Sequence, residues 1–251
     1  MSWRVWRWWL AGTGLYLLCL VAIFPADYAV GWLQARVPEL RLSGTRGSVW
    51  SGSAQELDWQ GQPLGALHWR FDWLGVFTGR LAYQLDLRAP DAKLQARVAG
   101  SGRKWVLDDV TGQLALSRLL PWLPLPAGSM DGRLDIMMQR LVLVDARPTA
   151  ASGVITLTGL SLTWPQALTL GNYQLKLQTQ ADGIHGSLLD TSGPLMLQGS
   201  LLLAPDGRYK VNGVLASRDA ANTALNDLLR YLPGSTDGRH SFNFSGNWTQ
   251  G

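Results

Sequence analysis

The sequence predicts a mainly β protein: an N-terminal transmembrane helix, then a curled antiparallel β-meander (half-barrel or sandwich) with one or two short helices. Three observations carry that expectation. An uncharged apolar run, Trp8 to Phe24, opens the chain. After Pro38 apolar and polar residues alternate with period two over segment after segment, as in strands with one dry and one wet face. No strand–helix–strand alternation appears, which argues against a parallel sheet.

The first element is 17 residues long. At ~1.5 Å per residue it reaches about 25 Å, a little short of a ~30 Å hydrocarbon core. Val5 and Trp6 extend its apolar face and Arg7 can snorkel. Trp3, Trp6, Trp8 and Trp9 form one aromatic belt; Tyr28 and Trp32 form the other. Arg4 and Arg7 keep the N-terminus cytoplasmic by the positive-inside rule, so the body lies across the membrane. A cleaved signal peptide is the rival. Cutting after Ala26 leaves Phe24 at the third-last position, and cutting after Ala29 leaves Asp27. Ala29-Val30-Gly31 meets the small-residue requirement weakly but lies late, beyond Pro25, so the run reads as an uncleaved anchor. Gly12 and Gly14 do not form a GxxxG face, so the anchor carries no dimerisation signal.

The strands follow. Leu67, Trp69, Phe71 and Trp73 alternate with His68, Arg70 and Asp72; Leu81, Tyr83, Leu85 and Leu87 alternate with Ala82, Gln84 and Asp86. Leu134/Ile136/Met138, Leu160/Leu162/Trp164, Tyr173/Leu175/Leu177, Leu201/Leu203 and Phe242/Phe244 continue the pattern. Pro90-Asp91, Gly102, Asp206-Gly207 and Gly246-Asn247 read as the turns between them.

Two stretches break the period and resemble each other: "LLPWLPLPAGSMDGRLDI", Leu119 to Ile136, and "LLRYLPGSTDGRHSFNF", Leu228 to Phe244. Both read LLxxLP, a small linker, a DGR turn and an alternating strand. Before the second, Ser217 or Asp219 would cap a helix running to about Tyr231. The expected organisation is an anchor over 1–24, a juxtamembrane segment over 25–38 and a β domain over 39–251, the last in two weakly repeated halves, about 39–145 and 146–251.

Composition narrows the chemistry. Over 251 residues the net charge is +4, and setting aside Arg4 and Arg7 leaves 20 basic against 18 acidic residues. The charges are scattered singly, so no nucleic-acid footprint exists. The lone Cys19 lies inside the apolar run, which leaves the body without disulfides or a Cys-based metal site. His68, His185 and His240 have no metal-ligand spacing with other His, Cys or carboxylates, and read as solvated strand residues. No Walker loop, dinucleotide fingerprint or Gly-x-Ser-x-Gly occurs. Asp108-Asp109 would point to opposite faces of a strand and cannot form facing carboxylates. The sequence thus predicts no catalytic, metal or cofactor residues.

One stretch asks for an explanation of its own. "GTRGSVWSGSA", Gly44 to Ala54, lacks the Lys-Ser/Thr ending of a phosphate loop and precedes a strand, not a helix. Gly47 and Gly52 read as turn or bulge positions flanking a short strand through Trp50, whose indole would lie flat against an adjoining strand at a sheet corner. Gly44, Thr45, Gly47, Val49, Trp50, Gly52 and Ala54 are accordingly the candidate structural motif or interface, beside the anchor residues Arg4, Arg7, Trp8 and Phe24.

This motif, "LHWRFDWLGVFTGRLAYQLDL" and the terminal "YLPGSTDGRHSFNFSG" together resemble the protein N family of the bacterial type II secretion system, over nearly the whole chain. The resemblance implies a single-pass inner-membrane protein with a periplasmic β domain, working in the apparatus that exports folded proteins. It implies secretion-system partners, from the inner-membrane platform to the outer-membrane secretin, and no catalytic residues. That family is in turn similar to AsmA-like proteins, whose curled sheets expose an apolar groove. Two functions therefore stand side by side: a non-enzymatic assembly component, and a lipid-handling module with acyl chains in its trough.

Overall fold

The computed structural model describes residues 24–76, 81–101, 103–122, 130–145, 147–163, 167–219, 222–230, 235–236 and 238–247. The predicted anchor, Arg4, Arg7 and Trp8 included, lies outside them except for Phe24. Among the described residues no helix is long and apolar enough to cross a membrane. The chain divides into two compact units, Met1–Pro90 and Asp91–Gly251.

The first unit contains α1 (Ala26–Arg36), β1 (Leu40–Ser43), β2 (Arg46–Gly47), β3 (Ser51–Trp59), β4 (Gln62–Asp72), the single turn α2 (Trp73–Val76) and β5 (Leu81–Ala89). Its strands run in the order β1-β3-β4-β5, with β2 also on β3. All four pairings within the unit are antiparallel. α1 starts where Pro25 fixes an extended φ of −64°, since proline is tolerated at a helix start and not inside one. The alternation expected over Leu67–Trp73 ends at Asp72; Trp73 opens α2 instead. Leu81 is 59% exposed, one residue beyond the last pair of the β4–β5 ladder, Asp72↔Ala82.

The second unit is a long meander: β6 (Ala92–Ser101), β7 (Lys104–Ala115), β8 (Met130–Val144), β9 (Arg147–Leu162), β10 (Leu168–Gln180), β11 (Gly183–Ser192), β12 (Leu195–Leu203), β13 (Arg208–Ser217), α3 (Thr223–Arg230), β14 (Ser235–Thr236) and β15 (Arg239–Asn247). Each strand up to β13 hydrogen-bonds the next, then the order is β13-β15-β14. Within each unit the strands form one antiparallel sheet, so the meander is as expected and the two-sheet sandwich is not the arrangement of either unit.

One face of this sheet is apolar. Met138, Ala151 and Ile184 form one buried cluster with Ile136, Ile155, Leu177 and Leu203 against it. Leu170, Tyr173 and Leu195 form another, closed by Leu225 and Leu229 of α3. The two leucines are one helical turn apart, the spacing that puts a stripe on one face. Burial pushes the Tyr173 phenol up to about 12. It stays neutral and donates to the Leu170 and Leu195 carbonyls at 3.0 and 3.3 Å.

Three expectations are corrected. The helix begins at Thr223, not after Ser217 or Asp219: Ser217 still pairs with Leu195 in the sheet, and Asn222 Oδ1 accepts the Leu225 N–H at 3.1 Å as the cap. The first DGR, Asp131-Gly132-Arg133, is no turn but lies inside β8, where the β8–β9 register shifts. Gly246-Asn247 is also strand, Gly246 pairing with Tyr209. A Cβ on Gly246 would sit 2.7 Å from the Tyr209 hydroxyl, so glycine is there for the phenol lying across it.

Candidate interaction site at the junction of α1 and the first sheet

The Gly44–Ala54 stretch folds as a small hairpin against β3 and β4. Gly44 and Thr45 join β1 to β2, and both short strands lie along β3 in succession. The chain then reverses at Ser48–Ser51. The Ser48 N–H bonds the Ser51 carbonyl at 2.9 Å, and the Ser51 N–H bonds the Ser48 hydroxyl at 3.2 Å. Trp50 thus sits in a turn, which corrects the expected strand through it. Gly47 has φ +99°, and a Cβ there would meet the Ser51 carbonyl at 2.5 Å; only glycine combines that backbone with that approach.

Three cross-strand rows follow on the apolar face. Ala54, 1% exposed, stands opposite Leu67, and Gly52 opposite Trp69. The Phe71 N–H bonds the Trp50 carbonyl at 2.6 Å, placing those two side by side. On the other side of β4 the rows continue to Leu87, Leu85 and Tyr83. The indole lying flat on the small residues is that of Trp69, not Trp50. A Cβ on Gly52 would come within 2.5 Å of it. Its Nε1–H donates to the Ser48 carbonyl at 3.1 Å, locking the turn.

Trp50 belongs to an aromatic cluster. Its ring lies 4.9 Å from Phe71, edge-on, and 4.9 Å from Trp73. Phe71 is 4.9 Å from Trp73 and 5.1 Å from Tyr83, both edge-to-face, a favoured geometry. Phe71 is 4% exposed while Trp73 is 58% exposed, so the cluster is rooted in the core and open at its rim.

The other side of the hairpin grips the segment that leads out of the expected anchor. Val49 N–H bonds the Phe24 carbonyl at 3.1 Å, Pro25 and Ser48 form a β-bridge, and the Thr45 hydroxyl donates to the Asp27 carboxylate. Farther along, Gln34 Nε2–H donates to the Leu42 carbonyl at 3.2 Å. Ala26, 2% exposed, is the buried foot of α1; Phe24, Tyr28 and Trp32 remain exposed at 46, 71 and 61%. Phe24, Val49, Thr45, Gly44, Gly47, Trp50, Gly52 and Ala54 are thus brought together. Sequence reading missed Pro25, Asp27, Trp69 and Phe71. Small Gly52 and Ala54 facing the alternating Leu67, Trp69 and Phe71 was the signal available for the latter two.

The histidines are dispersed. His68 is exposed on β4. His185 Nε2 lies 2.7 Å from Asp182, which holds that carboxyl below its ordinary range. His240 corrects the solvated reading: it is 6% exposed and its buried Nδ1 has no hydrogen-bond partner among the described residues. Asp108 and Asp109 each pair with an arginine, Arg140 and Arg97. Among the described residues no three His, Cys, Asp or Glu are placed to hold a metal ion.

The model of "Type II secretion system (T2SS), protein N" matches residues 38–244. The chain belongs to the type II secretion system protein N family. Relatives carrying the name type II secretion system protein N include one from Klebsiella pneumoniae, 30% identical over 93% of this chain and 92% of its own length. One from Vibrio cholerae serotype O1 is 27% identical over 90% and 92%, and one from Pectobacterium carotovorum is 24% identical over 93% and 96%. No solved structure matches the chain.

Proposed function

We propose that this chain is a non-enzymatic inner-membrane component of the type II secretion system. Its N-terminus is cytoplasmic, Trp8 to Phe24 is a single-pass anchor, and the β domain, residues 39–251, faces other secretion proteins in the periplasm. These partners are the inner-membrane platform and the outer-membrane secretin. The observation that carries the reading is the junction. Backbone and side-chain bonds from Phe24, Pro25 and Asp27 to the Gly44–Ala54 hairpin couple the chain leaving the apolar run to the sheet, within three residues of its end. A freely swinging tether would not need them. The hairpin holds the domain at a set attitude above the bilayer, which suits a part that contacts several neighbours in one assembly.

A second reading has an observation of its own. Ile136, Ile155, Leu175 and Leu188 stand in one cross-strand row, each only half-buried, an apolar face able to line a lipid trough.

Cysteine labelling in intact and opened spheroplasts tests the topology in a Cys19→Ser background. A cysteine at Ser2 should react only after the inner membrane is opened, and one at Ser187 in both states. Reaction of the Ser2 cysteine in intact spheroplasts would overturn the anchor.

A further inference from the structure

The two sides of α1 have different surroundings. At ~100° per residue, Ala26 and Val30 fall on one side, where Ala26 is buried and Val30 half-buried. Tyr28, Gly31, Trp32 and Ala35 fall on the opposite side and are all exposed, within an arc of about 100°. A Cβ on Gly31 would meet nothing within 4 Å. Phe24, just ahead of the helix, is exposed too, its ring 6.0 Å from that of Tyr28. The outward stripe therefore reads Phe, Tyr, Gly, Trp, Ala, with no charged residue in it. Asp27, at its border, is engaged by the Thr45 hydroxyl.

This stripe is a fixed surface and not part of a tether. At its start, Val49 holds the Phe24 carbonyl and Pro25 bridges Ser48. Toward its end, Gln34 donates to the Leu42 carbonyl at 3.2 Å. Pro25 is extended, with φ −64° and ψ 142°, so the axis of α1 does not continue that of any helix before it.

Two features identify what covers the stripe. Tyr and Trp pair an apolar ring with a polar tip, which suits the boundary between acyl chains and headgroups. The second is where the chain outside the described residues ends. The uncharged run Trp8 to Phe24 stops at the first residue of the stripe. Its reach of about 25 Å falls roughly 5 Å short of a ~30 Å hydrocarbon core. A span that short draws its flanking residues into the interface, and here the flank is the stripe.

We propose that α1 lies flat in the periplasmic headgroup layer of the inner membrane. Phe24, Tyr28, Trp32 and Ala35 face the acyl boundary, and Ala26 and Val30 carry the first sheet above it. The inference rests on the anchor reading and adds to it the face on which the β domain sits. An interfacial helix of this kind is held by its buried apolar area. A helix standing upright would instead lift Trp32 about 6 Å and Ala35 about 10 Å farther from the bilayer than Tyr28.

The test uses the full chain in a Cys19→Ser background, in nanodiscs of phosphatidylethanolamine and phosphatidylglycerol. Single nitroxide labels are placed at Tyr28→Cys, Trp32→Cys and Ala35→Cys, with Gln84→Cys, exposed on β5, as the aqueous control. Leu18→Cys, inside the apolar run, reports on the anchor. Power saturation compares collisions with oxygen, which concentrates in lipid, and with a water-soluble nickel chelate. Labels at 28, 32 and 35 should favour oxygen and give equal depths, while the label at 84 favours nickel. Three results would each overturn the proposal: nickel-dominated labels at 28 and 32, depth falling steadily from 28 to 35, or low access to both reagents, as in a protein contact. The label at 18 separates the two readings. If it favours oxygen while 28 and 32 favour nickel, the interfacial helix falls and the anchor stands; if it favours nickel as well, both fall.

Discussion

Truncating Trp50 to Ala removes a ring that touches both Phe71 and Trp73 at 4.9 Å centroid spacing. Fully buried aromatics cost about 3–5 kcal/mol on truncation, and a half-buried one should cost about 2–3 kcal/mol. For a chain of this size that lowers the melting temperature by roughly 5–10 °C, and Trp50→Phe should recover most of the loss. An unmoved melting temperature in Trp50→Ala would mean that the ring adds nothing to packing. The sequence made the small-residue setting of Trp50 legible because glycines and a lone indole are local signals. It did not reveal that Trp69 takes the place on Gly52, since that depends on the β3–β4 register. His240 misled for a related reason: its neighbours in sequence are polar, and its burial comes from pairing with β13 and β14.

At the scale of elements, α3 shows where local pattern yields to the sheet. The helix was legible, its start was not, because Ser217 still pairs with Leu195 of β12 and the Arg218 N–H bonds the Pro194 carbonyl before the helix can begin. Leu225 is 0% exposed and Leu229 3%. Leu225→Ala should therefore destabilise by about 3–4 kcal/mol, while Asn222→Ala, which removes only the cap, should cost about 1 kcal/mol. Urea denaturation followed by circular dichroism measures both. Equal costs would show that α3 is held by its cap and not by docking on the sheet. β9 escaped sequence reading in its first half, "RPTAASG", since small and polar residues there give no period-two signal; β8 carries it along its length and β10 joins at Gly153.

For the whole molecule, the antiparallel meander was legible from alternation alone, and the family from a few motifs spread along it. The junction was not, because it joins residues about 20 positions apart through backbone carbonyls and one threonine. The proposed function makes this β domain a fixed part of the secretion apparatus. Affinity isolation of the full chain from cross-linked membranes of its own host tests that most directly. Inner-membrane platform proteins of the type II system should be recovered with the wild-type chain, and in lower yield with a Thr45→Val, Trp50→Ala double variant that still reaches the membrane. Recovery of phospholipid with no secretion-system protein would contradict the claim and favour the lipid trough.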